Sequence, residues 1–338
     1  SSDLKRWKNA GLVLTVTMLL FASYYFLYMI AFFAVFYVFI YSIMQRYSLK
    51  RTAGKVAGLG GMGILGVLIG GVALVPIADT FLESARAGVL AAKGTSHLLS
   101  PYKGKTLGTI VARFFSNHML GIDKDYTGYL NYYEGMILAV SILTVFAVSY
   151  FIVKKSTRVK ALVLTVFLVF LTIMPLTSRI LVFTKHSYRW TFMICFMEAL
   201  VIGCFLQDVF REKNRKTVLA GSILAIVICG GLLAWMYSFK NIKPDHKVTA
   251  GVIGFLAVYL ILFAVGTSVK KMYRIFPAAV LLVLICELFV LDYPSLWHRE
   301  SPTRNQVATE YYNDGTKEAV AMLKEQDDSV YRIEKSYT

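Results

Sequence analysis

Long apolar stretches separated by short basic loops dominate the pattern along this chain. A helix needs about 20 apolar residues to cross the hydrocarbon core of a bilayer. The first apolar run, 10–44, is too long for one straight helix and too short for two full spans. It therefore predicts a half-helix at 10–22 and a span at 23–44. Seven further stretches reach the length of a span: 56–77, 134–153, 159–178, 190–210, 217–239, 249–269 and 275–291.

Composition agrees with this pattern. Hydrophobic residues make up 57% of the 338 residues and charged residues only 17%, a balance that excludes a water-soluble globular domain of this size. The chain is therefore predicted to be an all-α polytopic membrane protein, with about eight spans and a half-helix in residues 1–291 and with the cell membrane as its location.

The basic residues predict the orientation of the spans. Short loops rich in Lys and Arg are usually cytoplasmic. The loops of this kind are 45–55, 154–160, 211–216 and 270–274. The alternate connections, 78–133, 179–189 and 240–248, and the tail from 292 are then extracytoplasmic. The net charge of +16 is explained by topology, so no nucleic-acid partner is predicted.

Hydrophobicity falls after Leu291, which predicts a domain boundary there. Residues 292–338 are interpreted as the truncated start of an extracytoplasmic α+β domain, with a helix at 316–326 and a strand at 329–337. The chain opens without a signal-peptide pattern and stops as the strand begins, so we expect it to be a fragment of a longer protein.

Motifs for cofactors and metals are not found. The four cysteines all lie in apolar spans, which is typical of small packing residues. No His/Cys metal spacing, P-loop, dinucleotide fingerprint or nucleophile elbow occurs. No cofactor is predicted, and the use of a divalent cation stays open.

Glycines crowd the span at 56–77. Small residues three and four apart let helices approach closely in lipid, so packing is the favoured interpretation, and a helix that bends to admit a lipid is the alternative. Asp79 and Glu83 follow, four residues apart. They are interpreted as a solvated helix end or as a cation or sugar site.

The outer loop 78–133 is too long for a simple connector. Residues 106–121 show the pattern of an interfacial helix. The loop ends in the stretch DYTGYLNYYEG, 125–135. Its side chains suit either an aromatic belt at headgroup depth or a platform for a sugar. The candidates for sugar or acceptor contact are Tyr126, Asn131, Tyr132, Tyr133 and Glu134.

Cations recur in the next outer connection, SRILVFTKHSYRW, at 178–190. Arg179, Lys185 and Arg189 are candidates for binding a lipid phosphate, or for snorkelling to ordinary headgroups. His186 is a weaker candidate. Glu198 and Glu287 lie within apolar spans, where a carboxyl group has either a structural hydrogen-bonding role or a functional one.

Six segments in order resemble the bacterial YfhO family of membrane proteins. They are SYYFLYMIAFFAVFYVFIY, GVALVPIADTFLESARAG, YLNYYEGMILAV, SYRWTFMICF, ELFVLDY and VYRIEKSYT. The resemblance covers nearly the whole chain. It implies a GT-C-like helical bundle and the transfer of a sugar from an undecaprenyl-phosphate carrier to a cell-envelope polymer such as lipoteichoic acid, outside the membrane of Gram-positive bacteria.

That resemblance assigns roles to the outer candidates. Arg189, Lys185 and Arg179 would bind the donor phosphate, while Tyr132, Tyr133, Glu134, Tyr126 and Asn131 would face the sugar or acceptor. Asp79, Glu83 and His186 are second-tier candidates. The resemblance implies that the catalytic carboxylate lies upstream of residue 1, so no catalytic residue is assigned. A lipid-linked sugar flippase and a non-catalytic envelope scaffold are the alternatives to an enzyme.

Overall fold

A computed structural model describes residues 2–72, 75, 100–122, 125–129, 141–182, 187–212, 214–269, 275–291, 293–294, 303–307 and 316–326. The regular elements in these ranges are all helical. They are α1 (Ser2–Met44), α2 (Leu49–Ile69), α3 (Gly104–Arg113), α4 (Leu143–Val153), α5 (Arg158–Ile173), α6 (Pro175–Val182), a 3-10 turn (Arg189–Thr191), α7 (Phe192–Glu212), α8 (Arg215–Tyr237), α9 (His246–Gly266), α10 (Phe276–Leu291), α11 (Arg304–Gln306) and α12 (Thr316–Gln326).

Five of the described helices are long and apolar enough to cross a membrane: Asn9–Ile43, Leu49–Ile69, Arg189–Arg211, Arg215–Tyr237 and His246–Gly266. The α5–α6 pair makes a sixth candidate if its bent halves count as one span. Two further apolar helices, α4 and α10, are shorter. The prediction of an all-α multi-pass membrane protein is confirmed.

Helix α1 is interrupted at Ser23, the residue at which the sequence pattern predicted a break. Its φ of −171° and ψ of 102° are extended, while both flanking segments are helical. The Ser23 hydroxyl accepts a hydrogen bond from the Phe26 N–H at 3.5 Å, as an N-cap side chain does. The helix begins at Ser2, so the segment before Ser23 is about 32 Å long and includes the polar residues that precede the predicted half-helix at 10–22.

Helix α2 runs back along the second half of α1. The loop between the helices is short, and Tyr47 N–H donates to the Ser42 carbonyl oxygen at 2.9 Å. The Lys55 ammonium nitrogen lies 5.7 Å from the centroid of the Tyr41 ring. These contacts close an antiparallel helical hairpin.

The first half of α1 is parallel to α2. A Cβ at Gly66 would lie 2.8 Å from the Val13 carbonyl oxygen, and a Cβ at Gly70 would lie 2.7 Å from Leu20 Cδ2. The contacts therefore advance in the same direction on both helices. Since α2 is antiparallel to the second half of α1, the chain turns back at Ser23, and its N-terminus lies at the same end as the α1–α2 loop.

Helices α4, α7, α8, α9 and α10 share the larger hydrophobic core. Aromatic rings fill its centre: the Phe263 centroid lies 5.2 Å from that of Phe205 and 5.7 Å from that of Phe276. Gly221 lets α8 approach α4 closely, because a Cβ there would lie 2.8 Å from the Tyr150 Cα. This bundle supports the segments that carry the predicted outer residues.

Two predicted outer connections and the last residue of α10 meet at one end of the bundle. Asp245 N–H donates to the Met119 carbonyl oxygen at 2.8 Å, and the Ser116 hydroxyl donates to the Leu291 carbonyl oxygen. At the opposite end, Lys154 and Asp208 form an ion pair at 2.8 Å between α4 and the last turns of α7. Segments predicted to be outside thus lie together at one end, and segments predicted to be inside lie together at the other, as the basic loops predicted.

The chain divides into two compact units, Ser1–Ser295 and Leu296–Thr338. In the second unit, the Thr303 and Gln306 side chains form a capping box at the start of α11. Helix α12 has the residues predicted for it. The predicted strand at 329–337 lies outside the described residues, and the predicted boundary at 291/292 stays a prediction.

Candidate functional site

Pro175 breaks the predicted span 159–178. Helix α5 ends at Ile173, and Met174 is extended, with φ −98° and ψ 127°. The ring of a proline disfavours the helical conformation at the residue before it, and its missing N–H removes one helical hydrogen bond. Helix α6 therefore leaves at 74° to α5.

The break leaves the last carbonyl groups of α5 without helical donors. Tyr102 N–H donates to the Ile173 carbonyl oxygen at 3.0 Å, and the Tyr188 hydroxyl donates to the Thr172 carbonyl oxygen at 2.9 Å. The broken end of α5 is thereby joined to the segment before α3 and to the segment before α7.

Tyr102 is the centre of this cluster. Hydrogen bonds join its side chain to those of Ser178 and Tyr188. Burial raises the pKa of the Tyr102 phenol, and these two hydrogen bonds act in the opposite direction. Sequence reasoning missed Tyr102, because a single tyrosine in the segment PYKGK carries no periodic signal.

Two of the three predicted phosphate-binding cations are described, Arg179 and Arg189. Arg179 lies on α6 and is buried, whereas Arg189 opens the 3-10 turn and is exposed. The Ser178 hydroxyl donates to the Ser187 carbonyl oxygen at 2.7 Å, so the neighbour of Arg179 contacts the residue two positions before Arg189. Lys185 and the second-tier His186 lie outside the described residues.

The start of the tyrosine-rich stretch rests on α3. Arg113 Nη2 donates to the Tyr126 hydroxyl at 3.1 Å, and the guanidinium carbon lies 5.8 Å from the Tyr126 ring centroid. Tyr129 N–H donates to the Thr109 hydroxyl at 3.0 Å. Asn131, Tyr132, Tyr133 and Glu134 lie outside the described residues.

Arg113 is a second site residue that sequence reasoning missed. Its side chain is only 1% exposed, on the last turn of α3. The available signal was a cation inside the apolar run TIVARFF, which marks a charge that the fold must accommodate. Of the interfacial helix predicted at 106–121, residues 106–113 are helical and the chain then continues as turns. Residues 108–113 are all buried by protein.

Tyr102 connects the two predicted outer stretches. Its phenol lies close enough to that of Tyr129 for the second group to contribute to its raised pKa. On the other side, the Tyr102 and Tyr188 ring centroids are 6.4 Å apart. The tyrosine-rich stretch and the cationic connection therefore meet on the same side of the bundle.

An apolar groove lies beside the cationic connection. It is formed by the second half of α1, by α5, α6 and α7, and has a volume of about 190 Å³. The lining from Phe32 to Ile40 extends about 12 Å along α1. Trp190 lines it directly after Arg189, and the indole Nε1 is buried with no hydrogen-bond partner among the described residues. Four separate segments build the groove, so no single stretch of sequence could predict it.

Glu287 has a structural role. Its carboxylate accepts hydrogen bonds from the Ser141 hydroxyl at 2.6 Å, the Tyr259 hydroxyl at 2.7 Å and the Ile142 N–H at 2.7 Å. These contacts join α9, α10 and the start of α4. Glu198, on α7, is also buried.

No three His, Cys, Asp or Glu side chains in the described ranges lie close enough together to hold a metal ion. Asp79 and Glu83, the predicted metal or acceptor candidates, lie outside those ranges. The four cysteines are free thiols, of which Cys229 is buried in the core.

Comparison with known proteins gives a family match. The model of the family described as bacterial membrane protein YfhO matches residues 4–338. The match includes the apolar helices and the polar tail. No curated protein and no solved structure matches the chain.

Proposed function

Since the chain belongs to the bacterial YfhO family of membrane proteins, we propose that it acts in a membrane glycosyltransferase. It moves a sugar from a polyprenyl-phosphate carrier to a cell-envelope polymer such as lipoteichoic acid, on the extracytoplasmic face. The observation that carries the proposal is the exposed Arg189, which directly precedes Trp190, a residue that lines the apolar groove.

This arrangement suits a lipid-linked donor. The groove supplies apolar walls for the part of the hydrocarbon chain nearest the phosphate. An arginine can bind a phosphate with two parallel hydrogen bonds, and Arg189 is exposed to do so. Arg179 adds a second positive charge on the adjoining helix. Lys185 is proposed to contribute from the same connection.

The acceptor side is proposed to be the tyrosine-rich stretch. Rings of tyrosine stack on sugar faces, and their hydroxyls fix orientation. Arg113 holds the Tyr126 hydroxyl in place. We extend the same role to Asn131, Tyr132, Tyr133 and Glu134, which follow directly in sequence.

The reaction requires three events at this surface. An acceptor hydroxyl attacks the anomeric carbon of the sugar, the bond from that carbon to the phosphate oxygen breaks, and a base takes the hydroxyl proton. The carrier phosphate leaves with increased negative charge, which nearby arginines stabilise. Arg189 would therefore act in the transition state as well as in binding.

The test uses membrane vesicles that contain the full-length protein, radiolabelled sugar on undecaprenyl phosphate, and lipoteichoic acid. We expect label in the polymer, and a loss of about 100-fold in rate for Arg189→Ala, as for other lost charge-stabilising donors. Arg215→Ala, on a loop predicted to face the cytoplasm, is the matched control and should keep the rate.

Two other outcomes are informative. If labelled lipid crosses the bilayer without transfer, the protein is a flippase. If Arg189→Ala together with Glu134→Ala leaves transfer unchanged, the site assignment is wrong.

A further inference from the structure

The α1–α2 loop and the first turns of α2 gather cations that have no acidic partner within the described residues. Arg46, Lys50, Arg51 and Lys55 are all exposed. The sequence contains no Asp or Glu from residue 4 to residue 72. Within the described residues, the one ion pair joins helices at another place in the bundle. These positive charges are therefore not neutralised by neighbours in the described structure.

Two of the cations are held against the same aromatic ring. The Arg51 guanidinium carbon lies 4.1 Å from the Tyr47 ring centroid, and the Lys55 ammonium nitrogen lies 4.9 Å from it. Lys55 is also 5.7 Å from the Tyr41 ring centroid. The Tyr41 and Tyr47 centroids are themselves 6.2 Å apart.

Cation–π attraction explains why each cation lies on a ring. It does not remove the repulsion between the two like charges, which share one ring. A single anion placed between Arg51 and Lys55 would offset that repulsion. Arg51 and Lys55 are four residues apart on α2 and therefore lie on one face of the helix, so a single group with several anionic oxygens can reach both.

The position of the loop limits the kind of anion. Helices α1 and α2 are both candidate membrane spans; α1 ends at this loop and α2 begins there. The loop therefore lies at the depth of lipid headgroups, where the phosphate of an anionic phospholipid is the abundant multi-oxygen anion. The turn at Ser23 brings the basic N-terminal segment to the same end.

We propose that Arg51 and Lys55, positioned by Tyr47 and Tyr41, bind the phosphate of an anionic phospholipid headgroup. None of these four residues lines the groove, and Arg189 is not part of this site. Its occupant is a structural lipid rather than a substrate, so the inference stands or falls independently of glycosyl transfer.

The test is native mass spectrometry of the detergent-purified protein titrated with phosphatidylglycerol or phosphatidylcholine. We expect retention of phosphatidylglycerol in preference to phosphatidylcholine. The double variant Arg51→Gln/Lys55→Gln should lower the affinity about tenfold, since each cation near an anionic surface contributes. The control Arg215→Gln/Lys216→Gln removes the same charge from the exposed first turn of α8 and should change the affinity little.

Two ring variants separate a built site from general charge attraction. Tyr47→Leu keeps every charge but removes the shared ring, and should lower retention several-fold, whereas Tyr47→Phe should restore it. If the leucine variant does not fold, the single variant Lys55→Gln should still bind more weakly than the Arg215→Gln/Lys216→Gln control. The proposal would be overturned if Lys55→Gln and Arg215→Gln/Lys216→Gln lost the same affinity for phosphatidylglycerol. It would also be overturned if the unmodified protein retained both lipids equally.

Discussion

The Thr17 hydroxyl donates a hydrogen bond to the Gly66 carbonyl oxygen at 2.9 Å, which joins the first half of α1 to α2. The helices can approach this closely because Gly66 has no side chain. A Cβ there would lie 2.8 Å from both the Val13 carbonyl oxygen and the Val16 side chain. The favoured interpretation of the glycine-rich span, helix packing, thus applies at Gly66.

Gly66→Ala should therefore destabilise the protein by about 1–3 kcal/mol, the usual cost of overpacking. Gly63→Ala is the matched control three residues away, because a Cβ at Gly63 meets nothing within 4 Å. Thermal unfolding in detergent measures both variants. Equal midpoints for the two would contradict the close approach.

The turn at Ser23 predicts that residue 8 and residue 50 lie on one side of the membrane. In a variant without the natural cysteines, Lys8→Cys and Lys50→Cys should react with a membrane-impermeant maleimide only after permeabilisation. Lys240→Cys, in the exposed α8–α9 connection, should react in intact cells. If Lys8→Cys and Lys50→Cys were labelled from opposite sides, α1 would not turn back.

The buried Glu287 carboxylate predicts a large stability effect. Glu287→Ala leaves two hydroxyls and one backbone N–H without their acceptor, at a cost of about 3 kcal/mol. Tyr259→Phe removes one donor only and should cost about 1 kcal/mol. Unfolding by SDS in mixed micelles measures these changes.

A double-mutant cycle tests the contact itself. Tyr259→Phe should cost almost nothing when it is made in the Glu287→Ala background, because the two residues then no longer interact. Additive costs would show that the Tyr259–Glu287 hydrogen bond contributes nothing to stability.

Local features of the fold were predictable from sequence. The break at Ser23 follows from a serine that can cap the next helix, and the apolar lengths predict the spans. Pro175 carried the signal for the bend after α5, yet the apolar pattern continues through it, so a single span was predicted there. The prediction there followed the apolar pattern and did not use the effect of proline on the backbone, which determines the bend in the structure.

The candidate site was only partly predictable. Arg189 and Tyr126 stand out as polar residues next to apolar spans, so a chemical pattern could find them. Tyr102 and Arg113 become site residues only through contacts with segments distant in the chain, and the groove depends on four separate segments. Such features arise from tertiary packing, which periodicity does not encode.

The final prediction concerns the pH dependence that Tyr102 introduces. Burial raises the pKa of its phenol above the ordinary value of about 10, so the unfolded chain loses this proton at a lower pH than the folded protein does. The contribution of Tyr102 to stability is thus complete below pH 10 and is lost as the pH rises from there through the folded pKa. Tyr102→Phe removes this dependence, together with the hydrogen bonds to Ser178 and Tyr188.

At pH 8, Tyr102→Phe should lower the free energy of unfolding by about 1 kcal/mol. The difference between the unmodified protein and the variant should become smaller by up to about 1 kcal/mol between pH 9 and pH 11. Comparing the two proteins at each pH cancels the titration of the other tyrosines and the lysines. A difference that stays constant over this range would mean that the Tyr102 phenol is not shielded from water in the cluster that joins the two outer stretches.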